Sequence, residues 1–230
     1  MSLTVIVPFY NEEKHLKKSV ERLIQVSVAS EIIIVDDRST DKSYKIAKEL
    51  TKKFENIRLI QNHGLKGKGG AINFVKDEVK TKFVAIHDAD LEYFPSDLKK
   101  MLSEIEKFPS AMIIGSRFKE NLHRKNKYFR TILGNKIVSK FFSIMNGCNI
   151  SDVATCYKMF SNKFFQEIQL KESGFAIEVE FISKFVNKKG KIIEVPIKYE
   201  GRSYEEGKKI KFLDGIKYIN CIIKYKKSKL

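Results

Sequence analysis

A β-branched run followed by a helical pattern, repeated along the first half of the chain, constrains the fold more than any other feature. Leu3 to Val7 ends at Pro8, and Asn11 then introduces a helix marked by Leu16, Val20, Leu23 and Ile24. Ile32 to Val35 precedes a helix with Ile46, Ala47 and Leu50, and Ile57 to Ile60 precedes one with Ile72 and Val75. Phe83 to Ile86 precedes a helix from about Ser96 to Lys107, after which comes the strand Met112 to Ile114. Repeated βα units predict an α/β fold: a mainly parallel, twisted sheet with helices on both faces. In such a sheet every strand-to-helix loop emerges at one edge, so segments far apart in sequence share a crevice there.

After Gly115-Ser116-Arg117 the rhythm breaks. Residues 121 to 147 place Arg124, Lys125, Arg130, Lys136 and Lys140 beside a broad apolar group that includes Phe129, Leu133, Ile137, Phe141 and Ile144. That pattern fits an interfacial amphipathic helix or an ordinary helix packed on the sheet. A strand from Val153 to Phe160, a helix from Ala176 to Val186, a strand from Ile192 to Ile197 and a last helix near Phe212 to Tyr225 complete the expected elements. No repeat, low-complexity segment or linker interrupts them. The expectation is one domain over residues 1–230, divided by that break into a first half (1–118) and a second (119–230).

The chemistry gathers at strand ends. Phe83-Val84-Ala85-Ile86-His87-Asp88-Ala89-Asp90 is an apolar run that stops on two carboxylates one residue apart. In roughly extended chain, residues i and i+2 point to one side, and two hard oxygen donors there suit Mg²⁺ or Mn²⁺, which complete their shells with water and substrate phosphates. The alternative is that Asp88 and Asp90 merely turn the chain before the next helix.

Three further loops should share that edge: Pro8 to Glu12, Asp36 to Asp41, and Gly64 to Gly70. Asp36 or Asp37 can accept hydrogen bonds from a nucleobase imide or a ribose hydroxyl, or can cap a helix. Tyr10 can stack on a base or serve as a buried aromatic. The glycine loop is neither G-x-x-x-x-G-K-[ST] nor G-x-G-x-x-G, and Lys68 within it either approaches a diphosphate or holds the loop to the sheet. Arg117 offers charge for a leaving diphosphate or is a surface cation. Arg202, Lys208 and Lys209 belong to a flap over anionic ligands or to a solvated loop. The histidines lack ligand spacing, and there is no G-x-S-x-G or cysteine with an evident base, so nucleophilic catalysis is not indicated.

The formal net charge is +16, with a sequence pI near 9.6, and points to polyanionic partners: nucleic acid, phosphorylated ligands or an anionic membrane surface. Cys148, Cys156 and Cys221 are odd in number and form no C-x-x-C, so neither a disulfide framework nor a zinc site is indicated, which fits a reducing cytosol. The amino terminus enters a strand without a basic region or cleavage site, so no signal peptide is expected. No apolar stretch approaches the roughly 18 residues of a spanning helix.

Seven stretches, in order, resemble family 2 glycosyltransferases and within them the dolichyl- or polyprenyl-phosphate hexose synthases. They are Val5 to Glu12, Glu31 to Asp41, Gly67-Lys68-Gly69-Gly70-Ala71, Asp88-Ala89-Asp90-Leu91-Glu92-Tyr93, Gly115-Ser116-Arg117-Phe118, Thr155-Cys156-Tyr157-Lys158, and Glu194-Val195-Pro196-Ile197 with Arg202 and Gly207-Lys208-Lys209. The resemblance implies a GT-A fold, a nucleotide-sugar donor, a divalent metal held through the D-x-D, and inversion at the anomeric carbon. Carried over, Pro8, Tyr10, Glu12, Asp36 and Asp37 would surround the nucleoside with Lys68 nearby. Asp88, Ala89 and Asp90 would bracket the ribose and metal-bound diphosphate, Arg117 and Arg202 would hold phosphate charge, and Arg130, Arg202, Lys208 and Lys209 would meet the acceptor phosphate. Glu92 stands where many such synthases carry Gln and adds a possible metal ligand. Arg38 replaces the usual glycine of the D-D-G-S loop, and Ala154 occupies a position often polar.

These similarities imply hexose transfer to a polyprenyl or dolichyl phosphate by a protein peripheral to the cytoplasmic face of a membrane. Many relatives end in transmembrane helices, so a membrane-anchoring partner subunit is a further expectation. An anionic lipid phosphate needs no strong base, whereas a hydroxyl acceptor would, with Asp152 as candidate. The alternatives are a family 2 transferase building a surface polysaccharide or glycolipid, and a non-catalytic nucleotide or nucleic-acid binding module.

Overall fold

The computed structural model describes residues 3–120, 124–125, 129–203, 205 and 212–226; the side chains of residues 124, 125, 129, 130, 212 and 213 are not described. Short β-branched segments form the strands β1 (Leu3–Phe9), β2 (Glu31–Asp36), β3 (Ile57–Gln61), β4 (Phe83–Ile86) and β5 (Met112–Ser116). Later come β6 (Arg124–Lys125), β7 (Lys158–Ser161), β8 (Ile192–Pro196) and β9 (Tyr199–Glu200). The helices are α1 (Leu16–Val26), α2 (Ser43–Lys53), α3 (Lys68–Phe74), α4 (Asp97–Lys107), α5 (Phe129–Asn146), α6 (Asn162–Glu167), α7 (Ile177–Asn187) and α8 (Phe212–Tyr225).

One seven-stranded sheet has the order β3-β2-β1-β4-β7-β5-β8. All its pairings are parallel except those of β7, which runs antiparallel to β4 and to β5. Val5, Ile6, Ile33, Ile34, Val84 and Ala85 are wholly buried, which is why these strands read as unbroken apolar runs: helices cover both faces of a parallel sheet.

The chain winds outward from β1 through β2 to β3, then returns to lay β4 on the other side of β1. That reversal opens a crevice beyond the carboxyl ends of β1 and β4, the place where such sheets take ligands. Pro8 to Glu12 and Asp88 to Asp90 therefore face each other because of topology.

Two expected elements differ. The strand expected from Val153 is laddered only over Lys158–Ser161; the residues before it form a buried turn whose Cys156 N–H donates to Tyr93 Oη at 3.0 Å. The helix expected from residue 121 begins at Phe129, and Arg124–Lys125 instead pairs with β9. α5 is packed on the rest of the fold. It buries Val138 and Phe142 and packs on α8, yet Leu133, Ile137 and Ile144 are 48%, 56% and 67% exposed, too exposed to be core. Among the described residues no helix is long and apolar enough to cross a membrane.

Candidate active site

Just past β4, His87 is buried with its ring nitrogens 3.0 Å from Ser19 Oγ and 2.9 Å from Tyr157 Oη. Burial pushes its pKa down to about 4, so it is a neutral anchor that fixes where the next residues emerge. Asp88 receives the Lys68 ammonium at 2.5 Å, and the same ammonium lies 2.7 Å from Glu178 Oε1. The other Glu178 oxygen pairs with Lys158, which is wholly buried. Burial works against the charge on Asp88, but Lys68 outweighs it and holds the carboxyl below the usual range.

Asp90 is short of positive charge. Its Oδ1 accepts the Glu92 N–H at 3.1 Å and its Oδ2 lies 3.3 Å from Arg202 Nη2. Burial, then the charges of Glu92 and Asp88, push its pKa up to about 8. Leu91 between the two acids stands at φ 66°, a left-handed conformation costly for a side chain with a Cβ. Asn11 at φ 51° and Arg38 at φ 63°, in the loops after β1 and β2, do the same.

Glu92 has both carboxylate oxygens engaged: Tyr199 Oη donates at 2.5 Å and the Arg202 N–H at 2.7 Å. It thereby ties the segment after β8 to the acidic loop, where the Arg202 guanidinium also reaches Glu12 at 3.3 Å. Arg117 is paired bidentately with Asp152, Nε to Oδ2 at 2.7 Å and Nη2 to Oδ1 at 2.8 Å, and lies 4.9 Å over the Tyr199 ring. Both partners are buried, so neither the surface-cation reading of Arg117 nor a free base at Asp152 describes them.

Asp37 accepts from Gly67 N–H and Asn62 Nδ2, each at 2.7 Å, while Asp36 accepts from Ser39 N–H at 3.0 Å. The glycine loop is built for close approach of backbones. A Cβ on Gly69 would stand 2.0 Å from the Glu172 carbonyl oxygen, and the Gly69 and Gly70 amides donate to the Ser173 carbonyl at 2.7 and 3.1 Å. Those amides are spent on protein, and the loop delivers Lys68 to Asp88.

Pro8, Tyr10, Glu12, Asp37, Lys68, Asp88, Ala89, Asp90, Glu92, Arg117 and Arg202 all line one cavity of about 210 Å³; Asp36 does not. Arg130 lies at the start of α5 without a described side chain, and Lys208 and Lys209 fall outside the described residues. The model of glycosyl transferase family 2 matches residues 4–169, which is most of the chain.

The chain belongs to glycosyltransferase family 2.

This family 2 chain is similar to the UDP-N-acetylglucosamine–dolichyl-phosphate N-acetylglucosaminyltransferase of Methanococcus voltae. The two are 28% identical, over 98% of this chain and 96% of that protein. It is 27% identical to the dolichol-phosphate mannosyltransferase of Pyrococcus furiosus over 90% of this chain, but spans only 59% of that protein's length. In fold it resembles the glucosyl-3-phosphoglycerate synthase of Mycobacterium tuberculosis, solved with Mn²⁺, UDP and its product. The TM-score is 0.75 at 14% identity, covering 97% of this chain and 79% of that one. The mostly parallel sheet is thus a GT-A fold, and the family 2 chain is a hexosyltransferase and not merely a polyanion-binding module.

Among the described residues no group of three or more His, Cys, Asp and Glu side chains forms a ready-made metal cage. Two carboxylates lining a cavity instead suit an ion that draws most of its ligands from water and diphosphate oxygens. Sequence reasoning missed Glu178, Phe175 and Tyr218 in the cavity wall. Each comes from outside the strand-end loops, and no short motif marks them.

Proposed function

We propose that this enzyme moves a hexose from a nucleotide sugar, GDP-mannose or a UDP-hexose, to a polyprenyl or dolichyl phosphate at a membrane surface, with inversion. The nucleoside is held by the loops after β1 and β2 through Pro8, Tyr10, Glu12 and Asp37, in the donor-binding half 1–118. Asp88 and Asp90 would hold Mg²⁺ or Mn²⁺ together with the donor diphosphate. Bound there, the ion acts as a Lewis acid for the charge that grows on the departing diphosphate.

Lys68 and Arg202, already set against Asp88 and Asp90, supply fixed positive charge beside that diphosphate without moving far. Glu92 orients Arg202 by holding its backbone. Arg117, locked by Asp152, presents the remaining edge of its guanidinium to the cavity. The transition state is oxocarbenium-like, so stabilising the leaving group and placing the acceptor opposite it are the main tasks.

The observation that carries this reading is the state of the obvious bases. Asp152 is spent on Arg117, and His87 is walled in and neutral. Asp90, the carboxyl of raised pKa in the cavity, is taken up here by the metal; a hydroxyl acceptor would need a base freed from such a role, whereas a phosphate oxygen is anionic near neutral pH. The basic, partly apolar surface of α5 and α8 supports attachment to an anionic membrane, alone or beside an anchoring subunit.

Incubation with radiolabelled donors and Mn²⁺ tests the proposal. Label should enter an organic-extractable, acid-labile lipid, and Asp90→Ala should lower that transfer by at least a hundredfold. Label entering a water-soluble or polymeric product instead, or full turnover by Asp90→Ala, would refute it.

A further inference from the structure

The cavity wall includes residues from outside the strand-end loops. The loops after β2 and β1 carry Asp37, Pro8 and Tyr10, the loop after β4 carries the acidic pair, and Ala154 and Cys156 come from the turn before β7. Phe175, just before α7, Glu178, in its first turn, and Tyr218, on α8, add to the wall, and Glu178 lies against the Lys68 that pairs with Asp88. Tyr218 is only 3% exposed, and its hydroxyl has no hydrogen-bond partner among the described residues. Leaving a buried hydroxyl unpaired is costly, and native proteins seldom do so without a use for it.

The surroundings narrow what that hydroxyl meets. Glu178 is engaged by Lys68 and Lys158, so it is not waiting for the phenol. Burial, reinforced by the Glu178 charge, raises the phenol's pKa above its ordinary value, so it stays a neutral donor at physiological pH. Phe175 and Tyr218 add aromatic surface beside the polar Lys68–Glu178 pair. Apolar ring faces next to a single uncharged donor suit a pyranose, whose faces are C–H and whose rim is hydroxyl.

We propose that Tyr218 donates a hydrogen bond to a hydroxyl of the donor's hexose and so helps determine which hexose is accepted. This rests on the donor reading given above. With the diphosphate at the acidic pair, the hexose bonded to it lies within reach of the wall that Lys68, Glu178 and Tyr218 form there. A site that hydrogen-bonds a sugar hydroxyl rejects a sugar lacking it, because the protein group is then left buried and unpaired.

Tyr218→Phe tests this in the full chain. The wild type and variant are titrated calorimetrically with UDP-glucose, UDP-N-acetylglucosamine and GDP-mannose, and with UDP and GDP, all with Mn²⁺; their melting temperatures are compared without ligand. The expected result is an unchanged or slightly raised melting temperature, unchanged UDP or GDP affinity, and a loss of about fivefold for the matching nucleotide sugar. A monodeoxy donor lacking the contacted hydroxyl should bind both proteins alike.

Equal loss for the bare nucleotide, or a melting temperature lowered by several degrees, would make Tyr218 structural and overturn the inference. Unchanged donor affinity with a raised KM for polyprenyl phosphate would assign the phenol to the acceptor and also overturn it. If the wild type itself binds none of these nucleotide sugars, the donor reading falls and the inference with it. If the wild type binds and Tyr218→Phe binds equally, only the inference falls.

Discussion

Arg38 holds a left-handed backbone, φ 63°, in the loop after β2, next to Asp37. A side chain with a Cβ costs about 1–2 kcal/mol there, and the exposed Arg38 Nη2 recovers little through its 3.2 Å bond to the Gly64 carbonyl. Arg38→Gly should therefore raise stability by about 1 kcal/mol, read as a higher urea midpoint at unchanged slope. A lower midpoint would mean the guanidinium does more than its single contact suggests. Arg117 and Asp152 teach the complementary lesson at this scale. In sequence they are a cation and a carboxylate 35 positions apart; in the fold they form one bidentate unit, and each loses the independent role it could have had.

At the scale of elements, α8 is held to the turn before α7 by Glu172, which receives Lys224 Nζ at 2.7 Å and Tyr225 Oη at 3.0 Å. Burial opposes the charge on Glu172, but the bonds from Lys224 and Tyr225 together hold its pKa below the ordinary value. A carboxyl depressed on folding contributes stability above its unfolded pKa, ordinarily about 4.5, and loses it as pH falls through the folded one. Amide exchange in α8 should thus quicken, relative to the core strands, on acidification below about pH 4.5. In Glu172→Gln the difference should vanish. An α8 equally protected at both pH values in the wild type would exclude the tie. Because α8 carries Tyr218 and Glu172 abuts the loop that delivers Lys68, this contact joins two walls of the cavity.

Across the whole molecule, charge and apolar exposure coincide. The net charge is +16, and Leu133, Ile137 and Ile144 on α5 stand out into solvent, as do Ile216 and Ile223 on α8. Each basic residue near an anionic leaflet is worth about 1 kcal/mol and is screened by salt, whereas apolar insertion is not. The protein should cosediment with phosphatidylserine-containing vesicles at low salt and be largely released at high salt. Ile137→Ser with Ile144→Ser should weaken the salt-resistant remainder without lowering the melting temperature. No binding at low salt would point to a soluble acceptor or an anchoring partner.

The alternation of β1 to β4 with helices, the GT-A architecture and the strand-end acidic pair were determined by sequence alone. Periodicity and abrupt stops are local properties, and a parallel sheet has one ligand edge. Only tertiary structure decided that the glycine loop grips Ser173 and aims Lys68, that Glu92 reaches 110 residues onward to hold Arg202, and that Tyr218 enters the cavity from α8. These depend on which side chains meet once the helices have packed. Spacing along the chain carries no record of them, because a pairing between distant residues is set by the geometry of the whole core.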